Sequence, residues 1–232
     1  MALTLSLLPN DLKEVIEQDY NNNPYTSGTS LSLQEVLTIA SLISEFKPQR
    51  TLEIGLAHGG SAAAIIASKK YFDIKDIHCA IDPYQKTHSD SRGLDVIEKL
   101  GLSNLLDWVE DWSEKYLPKV VETGIYFDFI LIDGGHGLGQ AMVDAYFADR
   151  LLQVGGFIAI DDIYMKTTAE SIKYLVKECK YEIVNCQPNL RNLIRFPKIS
   201  ARLGISYATD LLSKSVDALV VMRKTQEYYG GY

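Results

Sequence analysis

Cysteine is scarce. Cys79, Cys179 and Cys186 are the only three among 232 residues, odd in number and without a C-x-x-C spacing. That pattern indicates neither a disulfide framework nor a cysteine-based zinc site. Met1 to Leu8 contains no Lys or Arg, and its short apolar stretch stops at Pro9, so no signal peptide is visible. No apolar run approaches the roughly 18 residues needed to cross a bilayer. A reduced cytoplasmic setting with no membrane partner is the expectation. Basic charge is short as well, with 23 Lys and Arg against 30 Asp and Glu and a formal net charge of −7. A nucleic-acid partner, which needs a basic face, is not expected. Internal repeats and low-complexity tracts are missing too. The remaining composition, 47% hydrophobic and 23% charged, is ordinary for a globular protein. The length suits one large domain with a substantial core, so 1–232 reads as a single domain.

The rest of the chain is arranged about Thr51-Leu52-Glu53-Ile54-Gly55-Leu56-Ala57-His58-Gly59-Gly60-Ser61. An apolar run bearing Glu53 near its end meets a glycine turn and passes into Ala62 to Ala67, which reads as strand, tight turn and closely packed helix. Gly55 and Gly60 have the separation of a phosphate-binding P-loop, but Ser61 stands where its lysine belongs. The dinucleotide pattern G-x-G-x-x-G fails at Ala57. What is left is E-x-G-x-x-x-G. Glu53 would repel a pyrophosphate and suits a cationic ligand.

Taken in order, Asp11 to Gln18 reads as a short amphipathic helix with an acidic cap, and residues 1–30 as that helix plus a loop. The loop, Asn21 to Thr29, reads as a solvated connector; the alternative is a lid in which Tyr25 covers a ligand. Ser30 is expected to cap a helix that Lys47-Pro48 ends. Strands are expected at Ile77–Ile81, Leu105–Val109, Phe127–Ile132 and Phe157–Ile160, with helices between them, Val154-Gly155-Gly156 acting as a turn, and Tyr181–Cys186 and Asp217–Met222 as last strands. Alternation of this kind predicts an α/β, Rossmann-like, doubly wound sheet with helices on both faces. Between the last two strands lies a long segment, 187–215, containing Arg191, Arg195, Lys198 and Arg202. It reads as a surface excursion or subunit contact, or as a loop favouring an anionic or sugar-like substrate. The tail Tyr228–Tyr232 is expected to fray.

Function is indicated by where acidic residues fall. Glu53, Asp82, Asp111, Asp133 and the pair Asp161-Asp162 each sit at or just past the end of an expected strand. In a parallel sheet those ends share one edge, where ligands bind. Asp82 is suited to the hydroxyls of an unphosphorylated ribose, its bland counterpart being an Asx turn before Pro83. Asp111 and Trp112 suit an adenine, through the exocyclic amine and the ring face. Asp133, Asp161 and Asp162 would repel one another unless a cation intervenes, and oxygen-only ligands select Mg²⁺ or another hard divalent ion. Helix capping is the bland alternative for the pair. His136, three residues past Asp133, is placed to take a hydroxyl proton. His58 reads as a neighbour of bound ligand, and His78 and His88 carry no case.

The combination of Glu53-Ile54-Gly55 through Gly59, Ile81-Asp82-Pro83, Ile132-Asp133-Gly134-Gly135-His136 and Gly155-Gly156 through Asp161-Asp162 resembles class I S-adenosylmethionine-dependent O-methyltransferases, in particular metal-dependent small-molecule members acting on antibiotics, sugars and catechols. The resemblance covers about Leu33 to Asp162. It implies a seven-stranded sheet with the last strand antiparallel, S-adenosylmethionine across the first strand ends, a hydroxylated small-molecule acceptor, and a homo-oligomer. It implies Glu53, Gly55 and Gly59 on the methionine part, with Ala57, His58 and Ser61 of the same turn among the cofactor contacts. It implies Asp82 on the ribose, Asp111 and Trp112 on the adenine, and Asp133 beside the cofactor. Asp133, Asp161 and Asp162 match the metal positions, and His136 with Asp133 the catalytic ones. One departure is Gly137-Leu138-Gly139, where the family often has an aromatic residue after the histidine. Two other readings stand beside it: a nicotinamide-dependent oxidoreductase, disfavoured by the glycine spacing, and a non-catalytic cofactor-binding or oligomeric protein.

Overall fold

The computed structural model describes residues 2–3, 8–24, 31–186, 212 and 214–227. Among these the order is β1 (Ala2–Leu3), α1 (Asn10–Asn22), α2 (Leu33–Phe46), β2 (Thr51–Ile54), α3 (Gly60–Tyr71), β3 (His78–Ile81), α4 (Arg92–Lys99), β4 (Leu106–Val109), α5 (Ser113–Thr123), β5 (Phe127–Ile132), α6 (Leu138–Leu151), β6 (Leu152–Ile160), α7 (Lys166–Lys177), β7 (Glu182–Ile183), β8 (Asn185–Cys186) and β9 (Val220–Arg223). Seven strands form one sheet in the order β4-β3-β2-β5-β6-β9-β7, and β1 pairs with β8 apart from it. β9 runs antiparallel to both neighbours, and the others run parallel to one another. The expected Rossmann-like sheet, last strand antiparallel, is what forms.

Side chains on a strand alternate between faces, and the two faces of this sheet hold different cores. Phe129, Leu131, Phe157, Ala159 and Val221 pack with α1, α2 and α3. Ile130, Ile132, Ile158, Ile160 and Met222 pack with the helices on the opposite face, through residues such as Leu117, Ala145, Leu151 and Ile172. Helix α2 is buried from Glu35 to Ser44 without a break, which explains why its sequence is apolar around much of its circumference. β4 lies at the sheet edge, so Asp107 can point to solvent inside a strand. From β2 the chain builds outward through β3 and β4, then returns to β5 on the other side. The crevice therefore opens between β2 and β5, above their carboxyl ends.

Several local expectations are corrected. The cap of α2 is Ser32 rather than Ser30; its hydroxyl accepts from Glu35 N–H, and Glu35 Oε2 accepts from Ser32 N–H at 2.6 Å. That reciprocal arrangement satisfies two helix-start donors. α1 begins after Pro9 with no side-chain cap, and Asp11 instead accepts from the Tyr71 hydroxyl. Val154-Gly155-Gly156 lies within β6, whose register against β5 shifts between Phe127 and Phe129, so the glycines accommodate an irregularity and not a turn. Tyr181–Cys186 divides into β7 and β8, which belong to different sheets. The Tyr25 lid, the segment 187–211 with its basic residues, and the tail 228–232 lie outside the described residues. No helix among the described residues is long and apolar enough to cross a membrane.

Candidate cofactor and metal site

Gly55 and the acidic residues Asp82, Asp133 and Asp161 are each held in line past a strand by one more backbone bond of the parallel ladder. Gly55 N–H donates to Ile81 carbonyl at 2.9 Å, Asp82 N–H to Val109 at 3.0 Å, Asp133 N–H to Ile54 at 2.9 Å and Asp161 N–H to Ile132 at 3.1 Å. The distant segments thus meet at one edge. A cavity of about 390 Å³ opens there, walled by Gly55, Ala57, Asp82, Pro83, Tyr84, Trp112, Ser113, Asp133, Gly134 and Gln140 among others.

The glycine turn shows why side chains are excluded. Gly55 has φ +96°, and a Cβ there would lie 2.1 Å from the Asp133 carbonyl oxygen. Asp133 can therefore approach β2 only because residue 55 is glycine. A Cβ on Gly59 would meet the Gly93 carbonyl at 2.7 Å, so α4 closes onto the turn through two glycines. Gln85, fully buried, locks this closure: its Nε2 donates to the Ala57 carbonyl at 2.7 Å and Asp82 Oδ2 at 3.0 Å, and its Oε1 accepts from Gly93 N–H at 3.1 Å. Nothing in the sequence marked Gln85.

Asp82 is the pivot of the turn. Oδ2 accepts from Leu56 N–H at 3.1 Å and Ala57 N–H at 2.9 Å as well as from Gln85. Among the described residues Oδ1 accepts only from Tyr84 N–H at 2.7 Å, so the Asx turn and an open lone pair occur on the same oxygen. Glu53 is placed differently from the simple expectation. It is fully buried behind the wall, taking a hydrogen bond from Ser61 on Oε1, with His78 Nε2 3.2 Å from Oε2. His78 Nδ1 lies 2.9 Å from Thr51 Oγ1. Glu53, Ser61 and Gly59 thus form the back of the turn. His58 offers its carbonyl to Asn23 at 3.3 Å and is not in the wall.

Asp111 also turns away, accepting from Trp112 N–H and lying 3.4 Å from Lys119 Nζ. The Trp112 hydrogen bond and Lys119 hold its carboxyl below the ordinary value. Trp112 stays in the wall, packed edge-to-face with Tyr84 at 5.2 Å between ring centroids. Tyr84, missed by the sequence reading, completes an aromatic corner at that end.

Asp133, Asp161 and Asp162 converge, with one carboxylate oxygen from each lying within 4.8 Å of the others. Burial first, then the nearby Asp161, Glu53, Asp162 and Glu35 carboxylates, push the Asp133 carboxyl well above its ordinary value. Three hard oxygens in mutual repulsion fit a divalent cation of the Mg²⁺ type. Asp162 has φ +56°, a conformation uncommon for a residue with a Cβ. His136 Nε2 lies 3.1 Å from Asp162 Oδ2, and its side chain is 42% exposed.

With this geometry in hand, comparisons with known proteins agree on its type. Residues 52–163 match a family model described as a methyltransferase domain. No curated protein sequence matches the chain significantly. Among solved structures, the S-adenosylhomocysteine-bound methyltransferase PaMTH1 of Podospora anserina is 19% identical, with 94% of this chain and 89% of that one aligned at a TM-score of 0.56. An O-methyltransferase from Bacillus cereus, in complex with S-adenosylhomocysteine, is 14% identical over 94% and 91% at 0.61. TomG of Streptomyces achromogenes, an O-methyltransferase of tomaymycin synthesis solved with S-adenosylmethionine, is 12% identical over 94% and 91% at 0.58. Identities at this level establish a shared fold.

Proposed function

For a chain whose residues 52–163 match a family model described as a methyltransferase domain, we propose transfer of the methyl group of S-adenosylmethionine to a hydroxyl of a small-molecule acceptor, with Mg²⁺ or a similar cation at the acidic mouth. The observation that carries this reading is the convergence of Asp133, Asp161 and Asp162, of which Asp133 also lines the cavity above Gly55. The residues fit the cofactor: a glycine cradle for close approach, Asp82 Oδ1 for the ribose and Trp112 for the base. Gly55, Ala57 and Asp133 lie along the methionine end. Glu53, His58, Gly59 and Ser61 support that end from behind, and Asp111 accepts from Trp112 N–H just before α5.

The protein's part in the reaction is mainly positioning, which can supply several kcal/mol of a displacement barrier. Asp133, Asp161 and Asp162 would hold the cation, whose chemistry when bound is to lower the pKa of an acceptor hydroxyl. Asp162 Oδ2 orients His136 through Nε2. Nδ1 is then the nitrogen that takes the acceptor's proton. The same reading takes 1–232 as a single domain acting in the cytoplasm as a homo-oligomer, with no nucleic-acid partner. The net charge of −7 supports the last point and the scarce thiols the compartment.

Calorimetric titration with S-adenosylmethionine tests the first half: the wild type binds, and Asp82→Ala binds at least about tenfold more weakly. Chelation tests the second half. After treatment with EDTA, Mg²⁺ restores methyl transfer to a panel of catechol and sugar acceptors in the wild type but not in Asp161→Ala or Asp162→Ala. Wild-type activity indifferent to EDTA would remove the metal from the proposal.

A further inference from the structure

Asp144, on α6, is fully buried and has no part in the cofactor or metal contacts described above. Oδ1 accepts from the Ser113 hydroxyl at 2.6 Å and from Gln140 Nε2 at 3.1 Å. Among the described residues Oδ2 is buried without a hydrogen-bond partner and faces Gly134, where an added Cβ would lie 3.2 Å away. An unsatisfied buried carboxylate oxygen costs stability, so its retention calls for a reason. Ser113, Gly134 and Gln140 all stand in the cavity wall, in the same lining as Trp112.

An ionised carboxylate only accepts, and that removes freedom from both partners. Burial pushes Asp144 up to about 6, so it remains mostly ionised at neutral pH. The Ser113 proton must point at Asp144, and Ser113 Oγ in turn accepts from Gln140 Nε2 at 2.5 Å. Both amide protons of Gln140 are then engaged. A flipped amide would set its carbonyl oxygen against Asp144, acceptor against acceptor. Oε1 is therefore the atom of Gln140 left for a ligand. The Ser113 backbone N–H, at the first position of α5, has no intrahelical carbonyl to meet and supplies a donor on the same stretch. Acceptor and donor beside an indole face match a 6-aminopurine, whose amine donates and whose N1 accepts. A 6-oxopurine has the reverse pattern.

Resting on the cofactor reading above, we propose that Asp144 is a positioning residue: it sets the Gln140 amide so that the cavity selects the 6-amino group of the cofactor's base over its deaminated 6-oxo counterpart. Asp111, turned outward to Lys119, leaves that role to Gln140.

The test is calorimetric titration with S-adenosylhomocysteine and with S-inosylhomocysteine, read as the ratio of the two affinities. The wild type prefers the amino compound by at least about tenfold, as expected where a wall atom must be satisfied by the ligand. Asp144→Asn, which lets the amide turn, brings the ratio below about threefold, and so does Gln140→Met, which removes the acceptor. A change in overall affinity alone would reflect packing, whereas only the amide's orientation moves the ratio. Should Asp144→Asn fail to fold by circular dichroism, Gln140→Met decides. A wild type that binds both compounds equally, or variants that keep the wild-type ratio, overturns the inference and leaves the cofactor reading intact. No binding of S-adenosylhomocysteine by the wild type sinks the cofactor reading and this inference with it.

Discussion

Asp144 also makes a prediction about stability that is separate from recognition. Burial raises its carboxyl from 3.8 to about 6. A raised acid means that the folded state holds the proton more tightly than the unfolded chain does. Its contribution to stability is therefore full below about pH 4 and is lost as pH rises through about 6. The shift amounts to roughly 3 kcal/mol. Asp144→Asn removes this dependence, so the variant gains on the wild type between pH 5 and pH 7.5 in urea unfolding; a constant difference across that range would show that Asp144 does not titrate in it. Asp82 behaves differently. Its Oδ2 is committed to the turn, so Asp82→Ala costs stability as well as cofactor affinity, whereas Asp82→Asn keeps part of the hydrogen bonding and loses less of both.

The glycine turn between β2 and α3 has little room to be rebuilt. Gly55→Ala forces a Cβ onto the Asp133 carbonyl at a backbone angle that side chains avoid, and it is expected to cost more than about 3 kcal/mol. Equilibrium unfolding measures this directly; a loss under about 1 kcal/mol would mean that β2 and β5 separate easily. The start of α2 is a second such joint. Ser32 caps its own helix and donates to Asp217 Oδ2 at 2.7 Å, while Glu35 Oε1 accepts from Ala218 N–H at 2.6 Å. These bonds tie α2 to the entry of β9, 185 residues away in sequence. Ser32→Ala is expected to destabilise by about 1–2 kcal/mol, above what an isolated cap at the low end of its range contributes. Burial is the main reason the Glu35 carboxyl is raised, with Asp217 adding to it.

On the function proposed above, cofactor and cation would act on the whole molecule by mass action, because each would bind the folded state through residues that only the folded sheet assembles. S-adenosylhomocysteine at 100 times its dissociation constant is expected to add about 2.7 kcal/mol, or roughly 5–10 °C in melting temperature for a chain of this size. Mg²⁺ is expected to add a smaller, separate increment, removed by EDTA. Differential scanning calorimetry on Asp161→Ala and Asp162→Ala separates the two: the cofactor increment stays and the Mg²⁺ increment goes. Loss of both would mean that the aspartates hold the cofactor pocket itself.

The alternation of apolar strands with helices, the E-x-G-x-x-x-G turn and the acids after each strand were all readable in one dimension. A two-residue side-chain period and the location of ligand sites at parallel strand ends are local rules with one outcome. Asp82, Asp133, Asp161 and Asp162 could be placed at one edge for that reason, before any coordinates. Which way each side chain turns there is a different matter. Glu53 met Ser61 and His78 instead of the cavity, Asp111 met Lys119, and Gln85 and Gln140 acquired their tasks from residues far along the chain. Spacing cannot encode such pairings. They depend on which buried polar groups the packing of α3, α4, α5 and α6 leaves within hydrogen-bond reach, and that is settled only when the helices close on the sheet.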